Sequence, residues 1–362
     1  MRWELSEEQA DFRSVLRGWL EGHCPSSSLR GWFDADDPGP FEQQFVTEGW
    51  SAVGSPEELG GQGGGLVELA LAAEELGRVA APSSAWMGSV LAVPGLTDAP
   101  DFAKALLADG VTTVPAVPSG AVPGVRPTVS ENGSGLSGTV RSVLGGDRAR
   151  RLLVPVRGPR GTVLALVDVE SDGVEMHPRA LTDRTRTVAD VVFTGVEGTP
   201  VVADVDAVLG QMALRAAVLA SADALGVTER MLEMAVEYAK QRHQFGVPIG
   251  SFQAVKHAAA QMLVQVESAR SIVYLAAASV ESGHPDAHLH AAAAKAQVTA
   301  GAADAADAAL TIHGAIGYTW EHDLQLYYKR AKLDRVLFGA PSAWNERIAV
   351  VLDLVPAGAT AL

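Results

Sequence analysis

One cysteine, Cys24, stands in a chain of 362 residues. A single thiol rules out an intrachain disulfide and any site built from several thiolates, iron–sulfur clusters included, and it fits a reducing compartment. Cys24 itself reads as a small residue near the end of the first helix. Aromatic residues are sparse at 6%, and positive charge is in deficit: 28 Lys and Arg against 43 Asp and Glu give a net charge of -15. No block of Lys and Arg interleaved with aromatics is present to follow a phosphate backbone, so nucleic acid is not an expected partner. Long apolar runs are missing too. None reaches the roughly 20 residues of a membrane span, and the N-terminal MRWELSEEQADFRSVLRGWLEG lacks the basic start and apolar stretch of a secretory signal. A soluble, cytoplasmic protein is expected. The nine histidines form no HExxH or carboxylate–histidine spacing that would hold a metal; His288 and His290, two apart on a helix, point to different faces. The glycines at 60–65 neither read GxxxxGK[ST] nor follow a strand, which removes a nucleotide-triphosphate loop.

What the chain does have is apolar content, 48% of its residues, enough for two or three packed layers around a large core. From Leu5 to about Leu107 apolar residues recur at helical spacing, as in Phe12, Val15, Leu16, Trp19 and Leu20, and in Leu66, Leu69, Ala70, Ala73 and Leu76. The Gly54–Gly65 stretch, with Pro56, breaks helix and suits a sharply turning loop. Between Val111 and about Val205 the texture becomes short Val, Leu and Thr runs parted by Gly, Pro and Asp. Leu152–Val156, Thr162–Val169 and Val188–Phe193 read there as strands. Long helices return after Asp206, at about 206–241, 252–282, 286–312 and 321–354, with turns at Gly246–Gly250, Ser282–Pro285 and Gly314–Tyr318. The third carries 13 alanines between Asp286 and Leu310, so its neighbours can approach closely. The expected fold is α+β, with an N-terminal helical domain over 1–110, a small middle β domain over 111–205 and a C-terminal four-helix bundle over 206–362.

Fold does not fix function, and the chemistry rests on local motifs. The first long C-terminal helix ends in Tyr238-Ala239-Lys240-Gln241-Arg242-His243-Gln244-Phe245-Gly246-Val247-Pro248-Ile249-Gly250. An arginine there, followed by an aromatic and a Gly/Pro turn, can offer a planar fork to a phosphate while the ring supports a purine or packs the turn. On these residues alone Arg242 is equally a helix-end cation favoured by the dipole.

The whole string resembles the flavin-diphosphate segment of acyl-CoA dehydrogenases. Other pieces similar to that family follow in order along nearly the full length: Leu5-Ser6-Glu7-Glu8-Gln9, Gly49-Trp50 with Pro56-Glu57-Glu58, Glu74-Glu75-Leu76-Gly77-Arg78, Asp183-Arg184-Thr185-Arg186, Ile312-His313-Gly314-Ala315-Ile316-Gly317-Tyr318-Thr319 and Lys329-Arg330-Ala331-Lys332. The resemblance implies FAD as cofactor and an acyl-CoA thioester as substrate. A glutamate takes the proton alpha to the thioester while hydride leaves the beta carbon for the flavin. It also implies paired subunits, in which Arg242, Gln244, Phe245 and Gly246, with Thr311, Gly314, Ala315 and Gly317, grip the diphosphate end of a flavin whose ring lies in the neighbouring chain. His313, beside that turn, reads as a packing residue or as a contact to flavin or partner.

The base is missing from both positions the family uses. Aligning Lys329-Arg330-Ala331-Lys332 puts Phe338 where most members carry the glutamate, and counting back from Arg242 puts Ala216 where a minority carry it. No catalytic residue is therefore assigned; Glu321, Asp323 and Asp334 remain as carboxylates that read more simply as solvated or ion-paired. The stretches that would touch the flavin ring, Pro115–Gly120 and Val140–Val143, lack the family's polar groups. This asymmetry resembles two-chain bacterial members, in which one chain supplies base and ring pocket and the other the arginine end. Those assemblies act on CoA thioesters with bulky ring-bearing or branched acyl groups, such as steroid side-chain intermediates. A heterotetramer with a second family-like chain is expected, against the alternatives of a homo-oligomeric enzyme with a relocated base and a non-catalytic subunit of the same fold.

Overall fold

Ser6 opens the first helix, α1 (Glu7–His23), with a reciprocal cap: its hydroxyl accepts from the Gln9 backbone N–H and the Gln9 side chain accepts from the Ser6 N–H. Leu16 and Leu20 form its buried stripe, and Cys24 closes it, itself buried. Five more helices follow: α2 (Ser26–Ala35), α3 (Gly39–Thr47), α4 (Leu66–Arg78), α5 (Ser84–Ala92) and α6 (Pro100–Leu107). Between α3 and α4 the glycine-rich stretch is the expected loop, folded back on itself by a bridge from Ser55 to Gly63. The computed structural model describes residues 5–35, 37–124, 127–159, 161–201 and 204–352.

The strands come next: β1 (Thr113–Pro115), β2 (Val129–Asn132), β3 (Gly135–Leu144), β4 (Arg151–Gly158), β5 (Gly161–Asp168), β6 (Val174–Arg179), β7 (Val188–Val196) and β8 (Thr199–Val201). They hydrogen-bond in the order β6-β7-β3-β2-β4-β5-β8, with β1 lying parallel on β4. Val129, Val140, Leu152, Val154, Val191 and Phe193 belong to a core of their own within this sheet. The three runs expected as strands from their β-branched content are β4, β5 and β7.

Long helices resume with α7 (Val205–Gln241); a short hairpin of β9 (His243–Gln244) and β10 (Val247–Pro248) leads into α8 (Gln253–Glu281) and α9 (Ala287–His313). The fourth bundle helix, expected over 321–354, is two helices instead: α10 (Leu324–Asp334) and α11 (Pro341–Val351). The break has a local cause. Phe338 and Gly339 take positive φ (+55° and +101°), which no right-handed helix accommodates, and Pro341 starts the next helix where its missing N–H costs nothing. Residues after 352 lie outside those described.

By length and composition α7 could cross a bilayer, but most of its apolar stretch is buried inside the protein, where it is the helix around which the others pack. Leu16 of α1, Leu76 of α4, Val227 of α7, Val273 of α8, Ala305 of α9 and Trp344 of α11 share one hydrophobic cluster. The first and last helices thus form one helical body, and the sheet keeps a separate core.

The crossing of α4 with α7 is backbone against backbone. A Cβ on Gly226 would sit 1.8 Å from the Glu74 carbonyl oxygen, and one on Gly77 would sit 2.3 Å from that of Asp223. Neither neighbour is a flexible side-chain end. Gly226→Ala is therefore expected to force the helices apart and destabilise the chain by at least about 1–3 kcal/mol. A shift in the midpoint of urea unfolding measures it, and an unchanged midpoint would contradict the close crossing.

Candidate functional site

At the end of α7, Arg242 leaves helical geometry (φ -77°, ψ 125°), donating its N–H to Tyr238 O at 2.8 Å and accepting from Ile249 N–H at 2.7 Å. The turn of the hairpin is Phe245–Gly246, both at positive φ (+53° and +82°), the mirror-image turn that matches strand twist. Glycine takes that conformation freely; Phe245 is held in it at a cost of order 1–3 kcal/mol. The result is an aromatic ring 93% exposed, braced only edge-on by Phe252 at 6.1 Å. The Arg242 side chain is exposed, and it has no hydrogen-bond or ion-pair partner among the described residues.

The end of α9 lies beside it. Tyr238, one turn before Arg242, stacks on the His313 ring at 4.6 Å, so the hairpin and the glycine turn share one end of the bundle. Gly314 terminates α9 at φ +63°, a conformation that suits glycine. Gly317 is buried, with Leu310 Cδ1 only 2.9 Å from where a Cβ would stand. Gln244, Gly246, Thr311, Gly314 and Ala315 are exposed; the Thr311 hydroxyl donates back to Asp307 O at 2.8 Å.

His313 is buried, and its Nδ1 is 2.8 Å from Ala309 O, which can only accept. Nδ1 therefore carries the proton in the neutral ring, leaving Nε2 a bare acceptor without a partner among the described residues. Burial lowers its pKa, the Ala309 carbonyl opposes this, and His322, 4.8 Å away, adds to the lowering.

The three stretches assigned to base and ring pocket meet in one place. Ser119 N–H donates to Ser142 O at 3.0 Å, Pro118 bridges to Val143, and Phe338 N–H donates to Ser119 O at 2.5 Å. Phe338 is fully buried and locked further by the Trp344 indole, which donates to its carbonyl at 3.0 Å. Below the turn, the buried Lys295 ammonium donates to the carbonyls of Asp334 and Gly339, each at 3.0 Å; burial lowers its pKa to about 7 despite Asp334. Ala216 is also fully buried. The substitute carboxylates are placed elsewhere: Glu321 is exposed, Asp323 pairs with Arg30 at 2.6 Å, and Asp334 sits in a buried ion cluster.

That cluster accounts for several of the sequence motifs. Arg330 grips Asp223 with two bonds of 2.9 and 2.8 Å and also donates to Ala81 O, Ser83 Oγ and Thr185 Oγ1. It ties α10 to α7, to the α4–α5 connection and to the segment before β7. Arg186 adds contacts to Asp223 at 3.1 Å and Asp334 at 3.6 Å. Burial pushes the Asp223 carboxyl up, but Arg330 and Arg186 outweigh it and hold it well below the usual range. Burial and the neighbouring Asp223 push the Asp334 carboxyl well above the usual range, against the pull of Arg186 and Arg330.

A second knot joins α4 to the bundle: Glu74 accepts from Tyr274 at 2.6 Å and Arg270 at 2.8 Å, and Glu75 takes a fork from Arg17 at 2.8 and 2.7 Å. The sequence shows Glu74, Glu75, Arg186 and Arg330 only as members of family-like strings, and it does not single out Arg17, Arg270 or Tyr274. The available signal was Asp223, a lone charge within the apolar run Ala216–Val227. Among the described residues no group of three His, Cys, Asp or Glu could hold a metal ion.

Comparison with known proteins joins this geometry to a family. Residues 6–99 match the family model described as acyl-CoA dehydrogenase, N-terminal domain, and residues 207–350 match acyl-CoA dehydrogenase, C-terminal domain. The chain belongs to the acyl-CoA dehydrogenase family. Acyl-CoA dehydrogenases are oxidoreductases acting on CH–CH bonds. The acyl-CoA dehydrogenase IpdE2 of Mycolicibacterium smegmatis is 32% identical over 355 residues, covering 95% of this chain and 98% of that protein. Acyl-CoA dehydrogenase FadE34 of Mycobacterium tuberculosis is 33% identical over 95% of this chain, which spans only 48% of that longer protein. Among solved structures, the ChsE4-ChsE5 complex from Mycobacterium tuberculosis matches with a TM-score of 0.85 at 25% identity, covering 99% of this chain and 100% of that one. The helix–sheet–helix arrangement expected from the sequence is the acyl-CoA dehydrogenase fold.

Proposed function

We propose that this chain is the flavin-diphosphate-binding, base-lacking subunit of a hetero-oligomeric acyl-CoA dehydrogenase. One observation carries the reading: the base position holds Phe338, buried and bonded to Ser119, while Arg242 and Phe245 stand exposed without use in their own chain. The residues present fit one end of FAD and not the other. Arg242, unpaired and beside a glycine turn, suits a diphosphate; Phe338, buried at the base position, supplies no proton acceptor there.

FAD, when bound, accepts the hydride from the beta carbon of the acyl group. In this chain Arg242 neutralises diphosphate charge with its planar fork, and the exposed Gly314, where an added Cβ would meet nothing within 4 Å, lets backbone approach. Phe245 supplies an apolar contact to the neighbouring chain, where an exposed aromatic anchor contributes most once desolvated. The proton alpha to the thioester is then taken by a carboxylate of the partner. The substrate class is a CoA thioester with a bulky ring-bearing or branched acyl group, a reading supported by the resemblance to two-chain members and by the likeness to a two-chain complex.

Purifying the chain alone and after co-expression with acyl-CoA dehydrogenase-like chains encoded nearby tests this, with the visible flavin spectrum and the mass in solution as readouts. A colourless chain alone and a yellow mixed oligomer are expected. A yellow homo-oligomer that turns over acyl-CoA would refute the assignment.

A further inference from the structure

His313 joins the two halves of the proposed diphosphate site. It is the last residue of α9, next to Gly314, and is only 3% exposed. On one side its ring stacks on Tyr238, with 4.6 Å between centroids and 23° between planes. Tyr238 O in turn accepts the Arg242 N–H at 2.8 Å, and Arg242 O accepts from Ile249 N–H at 2.7 Å across the base of the hairpin. On the other side Gly317 packs directly against it: a Cβ there would stand 3.1 Å from the His313 Cβ. A shift of this ring carries Tyr238 with it, and so moves the backbone from which Arg242 projects relative to the glycine turn.

The seat suits an uncharged ring. Nδ1 already donates to Ala309 O at 2.8 Å, so a proton gained at low pH goes to Nε2, which is buried and has no partner among the described residues. An N–H left there without an acceptor costs about 1–3 kcal/mol, and more when it carries charge. His322, T-shaped to the ring at 4.8 Å, offers no relief: its Nδ1 accepts from Leu324 N–H at 3.1 Å, so its own proton sits on Nε2 and that nitrogen is a donor too. The charged groups bordering the cleft beside the two imidazoles are Arg230, Glu233 and Glu237 of α7. Glu233 is held by Arg78 at 2.7 Å and Arg230 at 3.0 Å, and Glu237 accepts from Gln241. Asp323, next to His322, is paired with Arg30 at 2.6 Å. No carboxylate therefore waits at Nε2. Burial first, and then His322, lower the His313 pKa against the pull of the Ala309 carbonyl.

We propose that His313 is the positioning residue of the flavin-diphosphate end and is seated only as a neutral ring: uncharged, it holds the hairpin carrying Arg242 against the Gly314–Gly317 turn, and on taking a proton at Nε2 it releases the hairpin and the flavin with it. The inference rests on the diphosphate role proposed for Arg242.

The seat is complete above the ordinary imidazole range; as the pH falls through about 6.5 and below, the unseated form, which takes the proton more readily, gains ground. Amide hydrogen exchange over Arg242–Ile249 in the assembled complex, corrected for the intrinsic effect of pH, reads the seat. Flavin absorbance after gel filtration at each pH reads the consequence. Between about pH 7.5 and about pH 5, protection is expected to drop about tenfold or more, with flavin lost alongside it. His313→Phe keeps a ring for Tyr238 to stack on and removes the proton, so protection and flavin should stay level over that range. His322→Asn keeps an acceptor for the Leu324 N–H and removes the imidazole that disfavours charge on His313, so the step should move to higher pH. Protection that ignores pH in the unaltered complex, or a step of the same size and midpoint in His313→Phe, overturns the proposal. If His313→Phe does not assemble, an unmoved midpoint in His322→Asn overturns it. A complex without flavin at any pH refutes the role of Arg242 instead, and hydrogen exchange still decides whether His313 seats the hairpin.

Discussion

Arg330→Met is expected to cost about 3–5 kcal/mol of stability, the penalty of leaving a buried charge without its partner, out of a total on the order of 5–15 kcal/mol for a folded domain. Asp223 is fully buried and would keep one guanidinium, that of Arg186 at 3.1 Å, while Ala81 O, Ser83 Oγ and Thr185 Oγ1 would each lose a donor. The loss would be felt in three parts of the fold together, because Arg330 bonds to all of them. Arg330→Lys should rescue little, since an ammonium cannot reproduce a two-bond fork to a carboxylate. Replacing both partners, Asp223→Leu with Arg330→Met, should cost less than the sum of the two single changes. Denaturant unfolding of the four variants measures this. A single-variant loss below about 1 kcal/mol would place the pair among weakly contributing ion pairs instead.

Arg242→Ala should leave the fold intact and strip flavin from the assembled complex. The guanidinium is exposed and bonded to nothing among the described residues, so stability should change by no more than about 0.5 kcal/mol. If it holds a diphosphate in the neighbouring chain, removing it costs about 2–5 kcal/mol of cofactor affinity, roughly a 30-fold loss or more. Absorbance at the flavin band relative to protein, before and after gel filtration, reads the result. Unchanged flavin retention would remove Arg242 from the cofactor site, and a parallel loss of the oligomer would make it an interface residue instead.

Much of this was legible in the sequence because it depends on local periodicity. The alanine-rich α9, the β-branched runs of β4, β5 and β7 and the loop at Gly54–Gly65 depend on neighbours within a few residues, and those neighbours are written in order. The break in the last helix was missed although Gly339-Ala340-Pro341 offered a signal, because the positive φ of Phe338 is imposed by its bond to Ser119, far away in sequence. The same holds for the hairpin. A turn was expected at Gly246–Gly250, whereas the tight turn is Phe245–Gly246, with a strained phenylalanine that no propensity would choose. The ion clusters were beyond reach for a like reason: Arg330 and Asp223 are 107 residues apart, and nothing local pairs them. The candidate site was found only as matching strings. Its geometry adds that the base position and the ring stretches are closed against one another, which a string comparison does not contain.

The shared helical core also sets the order in which the chain can be made. Arg330 donates to Ala81 O across 249 residues, and Tyr274 to Glu74 across 200. The apolar face of α4 therefore leaves the ribosome long before the helices that cover it, an interval on the order of tens of seconds at ordinary elongation rates. Contacts this distant are slow to close, and the exposed face is open to wrong partners in the meantime. Yield in a host cell should then depend less on the stability of the finished fold than on what shields residues 66–78 while the rest is being translated.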